Sequence, residues 1–451
     1  MTSGTELNSL DEIGRKLIDI SDLALERARQ LGASMADVSV TQGQGLSVSV
    51  REGELETIEH HRSKGMEIRV FIDGCSGTTS CSDFTEVEIQ NCVQSACNIA
   101  GYTEKDEYNG LAESEFMATE FPDLDLYHPW NMTLDDSIEV ARRCESAALE
   151  FDKRITNTEG GSLNCFDGLS VYANSHGFCG ITKSSRHSIS CCVISGLGEK
   201  MQRDYWYDSR RAPGELSEPE AIGRKAAERT VNRIGARKLS TGEYPIVFES
   251  TIAQSLISHL ISAIQGAGLY KKSSFLHDRL GQRIFPEFMH IQEHPQLVRG
   301  AGSANYDGEG VATNRNIIID EGVLASFVLD SYTARKLGTH TTGNAGGVHN
   351  LIVNNTIDYG LDELLKAMDQ GILVTELSGF GINMVTGDYS RGAFGYWVEK
   401  GQIQYPIKEF TIAGNLIDMF MGVQAIGNDI HENRNIQVGS ILLDKITAAG
   451  M

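Results

Sequence analysis

The sequence lacks the short motifs that would place catalysis on one segment of the chain. Its 451 residues contain no HExxH or HExxxH pattern for a peptidase zinc ion, no GxSxG pattern for a serine nucleophile and no glycine-rich phosphate loop. Its nine cysteines form no CxxC pair, and the last of them is Cys192. The spacing predicts reduced, buried thiols, and a redox or metal role for the adjacent Cys191 and Cys192 is the alternative.

Positive charge is also scarce. The 39 Lys and Arg residues face 61 Asp and Glu residues, which gives a formal net charge of −22 at pH 7. The densest basic clusters are pairs such as Arg210-Arg211 and Lys271-Lys272, so no basic stripe offsets the repulsion from a phosphate backbone. We therefore expect neither nucleic acid nor an anionic membrane among the partners of this protein.

Long apolar runs are absent as well. A glycine, a serine or a charged residue interrupts every apolar stretch before it reaches about 18 residues, the length that a membrane-spanning helix needs. Residues 1–9 are polar and carry no basic region followed by an apolar segment. These features predict a soluble, cytoplasmic protein.

What is present points to two domains. Residues 235–244 hold two glycines and break the periodic pattern on either side, so we expect an N-terminal domain over 1–235 and a C-terminal domain over 245–451. The pattern predicts an α+β fold, with mixed helices and antiparallel sheet in the first domain. The second is predicted to be β-rich and barrel-like, with two helices packed against its sheet.

Local patterns predict several elements of this fold. Helical spacing predicts helices over 10–31 and 86–100. Alternation of apolar and polar residues predicts short strands over 37–42, 46–51 and 66–72.

Three local clusters combine chemically active side chains, and each has a more frequent structural explanation. His60 and His61 lie among glutamates, but neighbours on a strand point to opposite faces, which disfavours a metal site. Ser175 follows alanine and asparagine where GxSxG requires glycine two residues earlier. Asp123, Asp125 and His128 could bind a cation, but the prolines on either side of them favour a rigid surface loop.

Longer segments carry more information than these clusters. They include DKRITNTEGG at 152–161, DSYTARKLG at 330–338, TGNAGG at 342–347, TGDYSRGA at 386–393 and GND at 427–429. Together they resemble the TldD/PmbA family, and the last two segments resemble its PmbA branch, also called TldE. The resemblance spans essentially the whole chain.

The resemblance implies one subunit of a two-subunit cytoplasmic zinc peptidase that degrades unfolded polypeptides and matures microcin-type peptides. In that family the TldD-type subunit holds zinc through HExxxH and a later cysteine. The positions here that correspond to HExxxH are Ile257, Ser258 and Ser262, and no cysteine follows Cys192. The resemblance therefore implies a noncatalytic subunit without a cofactor, which forms a heterodimer with a TldD-like subunit that carries the zinc.

For such a subunit, two segments are candidates to line a substrate cleft. They are Thr342, Gly343 and Asn344 in one segment and Asp388, Tyr389, Ser390 and Arg391 in the other. Glycines and a turn there would let an extended peptide approach the C-terminal sheet, and the alternative is tight turns between strands. Two questions stay open: whether the chain forms a homodimer when alone, and whether it instead modulates DNA gyrase or serves as another binding protein without peptidase function.

Overall fold

The computed structural model describes the backbone of residues 4–450 and the side chains of residues 11–450 apart from Glu199. The helices are α1 Gly4–Gln30, α2 Glu86–Ala100, α3 Leu134–Leu149, α4 Pro219–Asn232, α5 Ser250–Ala263, α6 Gly266–Tyr270, α7 Ser331–Leu337, α8 Leu361–Met368 and α9 Leu416–Met421. The strands are β1 Met35–Arg51, β2 Glu54–Ile72, β3 Cys75–Cys81, β4 Ile155–Asn174, β5 Cys179–Ser195, β6 Gln202–Arg210, β7 Gly242–Phe248, β8 Ile291–Glu293, β9 Asn316–Asp320, β10 Val323–Leu324, β11 Leu351–Val353, β12 Gly371–Ile382, β13 Asp388–Glu399, β14 Gln402–Asn415, β15 Val423–Ile426, β16 Ile436–Gln437 and β17 Ile441–Gly450.

The first sheet supports two pairs of helices along unusually long strands. It is antiparallel, with the strand order β3-β2-β1-β4-β5-β6. Val171, near the end of β4, packs in a core with α1 and α2, whereas Leu163 packs in a separate core with α3 and α4. One strand therefore serves two cores, and this explains its length.

The pattern 37–42 and 46–51 predicted two strands, and this prediction is wrong because β1 is continuous. Gly43 stays in register, opposite Ser63 of β2 and Gly168 of β4. A Cβ atom at Gly43 would lie 2.6 Å from the ring of Phe166. This glycine makes room for an aromatic ring of the neighbouring strand and does not end its own strand.

The helix prediction is accurate for α2 and too short for α1. The bounds of α2 coincide with the predicted range 86–100, and Thr85 precedes it in extended conformation. The first helix begins at Gly4, six residues before the predicted start. Polar residues without apolar periodicity gave no signal for that early start.

The C-terminal sheet closes on itself. Its order is β14-β13-β12-β7-β17-β15, and β14 pairs with β17 as well, so five of its strands form a ring. Alternate residues of β7 face opposite sides: Phe248 packs with α5 in the main core, and Val247 packs under α8. This arrangement confirms the α+β prediction with a barrel-like C-terminal part.

A smaller sheet completes the core. Its order is β10-β9-β8-β11-β16, with β11 and β16 parallel and the other pairs antiparallel. Ile291, Ile318 and Leu351 from this sheet join the barrel and α5 in one apolar cluster. The small sheet and the barrel therefore share one apolar core.

Charged side chains tie the first sheet and its helices to the C-terminal part. Arg229 of α4 contacts Glu249 at 3.1 Å, at the start of α5. Arg335 of α7 donates to the carbonyl oxygens of Tyr108 and Leu111. None of the helices described within residues 4–450 is both long and apolar enough to cross a membrane.

We expect Gly223→Ala to destabilise the protein by about 1–3 kcal/mol through overpacking between α3 and α4. A Cβ atom at Gly223 would lie 1.9 Å from the carbonyl oxygen of Cys144. Gly214→Ala is the matched control, since a Cβ atom there meets nothing within 4 Å. Urea unfolding of both variants measures the difference, and equal midpoints would contradict the close helix packing.

Candidate functional site

Helix α5 is the element on which the proposed loss of the zinc site depends. It follows β7 directly, and its apolar residues Leu256, Ile257 and Leu260 are almost completely buried in the main core. The apolar side of the helix is therefore buried against the barrel. Only the side chains on its other side are available to bind a metal or a ligand.

The residues at the HExxxH positions do not fit a zinc ion. Ile257 is aliphatic and fully buried. The hydroxyl of Ser258 donates to the carbonyl oxygen of Gln254 at 3.0 Å, and that of Ser262 donates to the carbonyl oxygen of Ser258 at 2.9 Å. A catalytic zinc needs three nitrogen, sulfur or carboxylate ligands, and these three side chains offer none.

The rest of the described chain does not replace this set. Over the residues with described side chains, no group of three or more His, Cys, Asp or Glu residues lies in an arrangement that could hold a metal ion.

His259 lies between the corresponding positions and was not singled out by the sequence. Its imidazole packs edge-on against the ring of Tyr389, with ring centroids 5.9 Å apart. Burial, and then the positive charge of Arg391, lower the pKa of His259 to about 4. The imidazole is therefore neutral at pH 7. Only its chain position, one residue after Ser258, could have drawn attention to it.

The expectation of a turn at residues 388–392 is wrong. Asp388–Glu399 forms strand β13, in which Tyr389 pairs with Ile382 of β12 and Gly414 of β14. Both backbone edges of β13 are thus occupied in this region, so a substrate strand could not add there. Side chains are what this candidate segment offers, and those of Tyr389 and Arg391 lie near α5.

The other candidate segment is tied into the protein interior. Thr342 donates to the side chain of Asn344 at 2.7 Å, and Asn344 donates to the carboxylate of Glu293 at 2.8 Å. Gly343 has a φ of 72°, and a Cβ atom there would lie 2.8 Å from the carbonyl oxygen of Ala312. The glycine is needed for a tight turn, as the alternative interpretation expected.

Glu293 anchors this segment. Its carboxylate is 1% exposed and also accepts hydrogen bonds from the backbone and imidazole of His349. Burial by itself raises the pKa of Glu293, but the hydrogen bonds from His349 and Asn344 outweigh it and lower the pKa below the usual range. Residues 342–344 are thus a loop held by Glu293 of β8, in the small sheet, whereas Tyr389 lies on β13 of the barrel.

A cleft of about 590 Å³ separates the first sheet from the loops of the C-terminal part. Ala345 and Gly346, which follow the candidate residues, line it together with Asp37 and Arg69. Asp37 and Arg69 form an ion pair of 2.6 Å. The loop thus borders a cleft with its later residues, while Asn344 is buried behind them.

The clusters that the sequence analysis disfavoured have structural partners. The hydroxyl of Ser175 accepts a hydrogen bond from the backbone of Ala36 at 3.0 Å. Asp125 binds Arg299 at 2.5 Å, and its second oxygen lies 3.1 Å from His128. These contacts account for the polar groups without a nucleophile or a cation.

All nine cysteines are free. Cys191 is buried and Cys192 is half-buried. Burial, and then the hydrogen bond to Glu159, raise the pKa of Cys192 to about 12. A thiol with a raised pKa is a poor nucleophile and a poor metal ligand at pH 7, so the structural interpretation of this pair is favoured.

Comparison with known proteins defines the class. Three successive parts of the chain match metallopeptidase domains of the PmbA/TldA type: domain 1 at residues 36–100, the central domain at 127–234 and the C-terminal domain at 241–450. The Metalloprotease PmbA of Escherichia coli O157:H7 is 45% identical over 442 residues, which cover 97% of each chain. The chain belongs to the PmbA/TldD metallopeptidase family.

Other relatives lie in both branches or share the fold. A Metalloprotease TldD homolog of Haemophilus influenzae is 20% identical across 100% of this chain and 97% of its own. A solved structure from Bacteroides thetaiotaomicron, described as a modulator of DNA gyrase, has a TM-score of 0.91 and 30% identity, covering 96% of this chain and 98% of that chain. TldE from Thermococcus kodakarensis, at 21% identity, has the same fold with a TM-score of 0.81, covering 94% and 99%.

Asn344→Asp tests whether this candidate residue is structural. The change places a carboxylate against buried Glu293 in place of a donor, so we expect a loss of about 2–4 kcal/mol in the free energy of unfolding. Asn355→Asp is the control, because Asn355 donates to the carbonyl oxygen of Ile357 at 2.9 Å but is exposed. Denaturant unfolding at pH 7 measures the change in each variant. Equal losses of unfolding free energy in both variants would contradict the structural role of Asn344.

His259→Gln should make the protein less sensitive to acid. An imidazole whose pKa falls from about 6.5 in the unfolded chain to about 4 in the fold stabilises the protein above pH 6.5, and that stability is lost as the pH falls towards 4. Because the site is partly screened by solvent, we expect about 1–2 kcal/mol of this dependence to disappear in the variant. Unfolding between pH 7 and 4, with the exposed His60→Gln as control, measures it. An unchanged slope in His259→Gln would show that the imidazole is not shielded.

Proposed function

We propose that this chain is the noncatalytic subunit of a two-subunit zinc peptidase of the PmbA/TldD family. Its partner would be a TldD-like subunit that supplies the zinc, and the complex would act in the cytoplasm on unfolded polypeptides and on microcin-type precursor peptides. The observation that carries the proposal is the side-chain chemistry of α5, where Ile257, Ser258 and Ser262 cannot bind zinc. In the absence of the TldD-like subunit, the chain would be either a homodimer or a monomer.

The kinship of the two branches supports a shared architecture. The TldD homolog of Haemophilus influenzae aligns across the whole of this chain at 20% identity. Two subunits of one fold can form a pseudosymmetric dimer, in which one retains the catalytic groups and the other completes an enclosed cleft. A narrow enclosure of this kind would admit only chains that are already unfolded.

Such substrates would be held by adding a strand to an exposed sheet edge. The sequence analysis expected this edge in the C-terminal sheet, and we now propose an edge of the first sheet. The barrel has no free edge where β14 joins β17. In the first sheet, β3 pairs with residues 66–72 of β2, and no described strand lies beside residues 54–65 on that side. An extended peptide could pair there through its backbone, which requires little sequence preference.

Modulation of DNA gyrase is the second candidate. The solved structure from Bacteroides thetaiotaomicron described in this way is 30% identical to this chain. The net charge of −22 argues against direct DNA contact, so a role of this kind would act through a protein. Such a protein would bind this chain in the absence of any TldD-like subunit.

Reconstitution tests the proposal. We expect no cleavage of an unfolded casein by this chain alone, cleavage at a rate at least about tenfold above the partner alone when a TldD-like subunit is added, and complete loss with a chelator. Peptide release followed by mass spectrometry measures the rates.

Two variants sharpen the result. Removing the HExxxH glutamate of the partner should abolish cleavage, whereas Ser175→Ala in this chain should leave it unchanged. Chelator-insensitive cleavage by this chain alone, lost in Ser175→Ala, would contradict the proposal. Stable binding to gyrase or a gyrase-associated protein, with no effect on cleavage by the partner, would favour the second candidate.

A further inference from the structure

One side of α5 carries a polar stripe. Ser255, Ser258, His259 and Ser262 follow the spacing i, i+3, i+4 and i+7, which places them on one face of a helix. Ser258 and Ser262 use their hydroxyls within the helix. The hydroxyl of Ser255 and Nε2 of His259 are buried and have no hydrogen-bond partner.

Strand β13 presents two more unpartnered groups to this stripe. Tyr389 and Arg391 are two residues apart and therefore lie on the same face of the strand. The side chain of Tyr389 contacts His259, and the charge of Arg391 is close enough to depress the pKa of that imidazole. Tyr389 is 2% exposed, and its hydroxyl and Nε of Arg391 are also buried without a partner.

These four atoms form an unusual concentration. Twelve buried side-chain nitrogen or oxygen atoms lack a hydrogen-bond partner in the described part of the chain, and four of them belong to Ser255, His259, Tyr389 and Arg391. A buried polar group without a partner costs free energy, and most such groups in folded proteins are satisfied. Tyr389 contacts His259, Arg391 lies close to both, and Ser255 lies one helical turn before His259. The four atoms therefore leave hydrogen bonds that a species from outside the chain can complete.

The charge balance identifies the kind of species. None of the ion pairs between described side chains includes Arg391. Asp388, three residues earlier, accepts instead from Thr386 at 2.6 Å and from Asn415 at 3.4 Å. The four groups can all donate hydrogen bonds, and with a neutral imidazole they carry one positive charge. A set of hydrogen-bond donors with one positive charge is complementary to an acceptor with one negative charge, such as a monoanion.

We propose that Ser255, His259, Tyr389 and Arg391, the α5–β13 site, bind a carboxylate or a similarly small oxyanion. The guanidinium supplies the charge, and the two hydroxyls and the imidazole N–H supply neutral donors. The carboxylate could be the C-terminus of a peptide or a free anion. The site does not depend on the proposed subunit role, since it is defined within this chain alone.

Calorimetry on the isolated full chain tests the site with three probes: acetate, N-acetyl-dialanine and the amide of N-acetyl-dialanine. In a buffer free of carboxylate and phosphate at pH 7, we expect the acid to bind at least about tenfold more tightly than the amide, because the amide lacks the charge. Acetate that binds as tightly as the peptide acid would assign the site to free anions. A preference for the peptide acid would assign it to peptide termini, and either result supports the proposal.

Variants locate the binding. Arg391→Gln should weaken binding of the acid about tenfold or more, and Tyr389→Phe and Ser255→Ala should each weaken it about threefold to tenfold. Tyr244→Phe is the matched control, since Tyr244 lies in the same barrel and its hydroxyl already donates to the carbonyl oxygen of Ser240 at 2.9 Å. It should bind the acid as the wild type does.

Thermal unfolding without ligand separates binding from folding. Tyr389→Phe removes an unpartnered hydroxyl and should melt at the same temperature as the wild type or higher, whereas Tyr244→Phe breaks a hydrogen bond and should melt lower. Equal binding of the acid and the amide, no binding of any probe at millimolar concentration, or wild-type affinity in Tyr389→Phe and Ser255→Ala would overturn the proposal. Cleavage by the reconstituted peptidase is a separate readout, so this site can fail while the subunit role stands.

Discussion

Packing of one helix, α5, against the closed C-terminal sheet is the constraint that organises this protein. Pairing of β14 with β17 completes the ring of strands, and Phe410 and Ile412 of β14 join the same core as α5. The apolar side of α5 is buried against the barrel. Only side chains on the opposite side of the helix can therefore bind a ligand or take part in a reaction. Ile257 belongs to the core and cannot turn outward without exposing buried apolar surface.

The same packing leaves a polar stripe on α5, on the side opposite its buried apolar residues, although positions 257, 258 and 262 offer no zinc ligands. In a helix, positions 257 and 262 are five residues apart, about 140° around the axis. One of them therefore faces the core when the other lies in the polar stripe. Ser255 and His259 share that stripe with Ser262, so the surface that faces Tyr389 keeps hydrogen-bonding capacity even without metal ligands. The polar side of the helix can donate hydrogen bonds, whereas Ile257, Ser258 and Ser262 offer no zinc ligand.

The sequence predicted the parts of the fold that depend on local patterns. The bounds of α2 and the α+β class follow from periodicity, and the family segments identified the relatives. Pairing between distant segments left no local signal: β1 runs through Gly43 because Phe166 covers it, and the residues at 388–391 form a strand because β12 and β14 flank them. Asn344 looked like a cleft residue, and only Glu293, far away in the sequence, reveals its buried position. His259 escaped notice because its significance depends on Tyr389 and Arg391 across the core.

The zinc content of a purified complex with a TldD-like subunit tests the central claim most directly. Elemental analysis after dialysis should find one zinc per pair of chains, and the metal should remain with the TldD-like subunit when the two are separated under mild conditions. A second tightly bound zinc, retained by this chain after separation, would contradict the account.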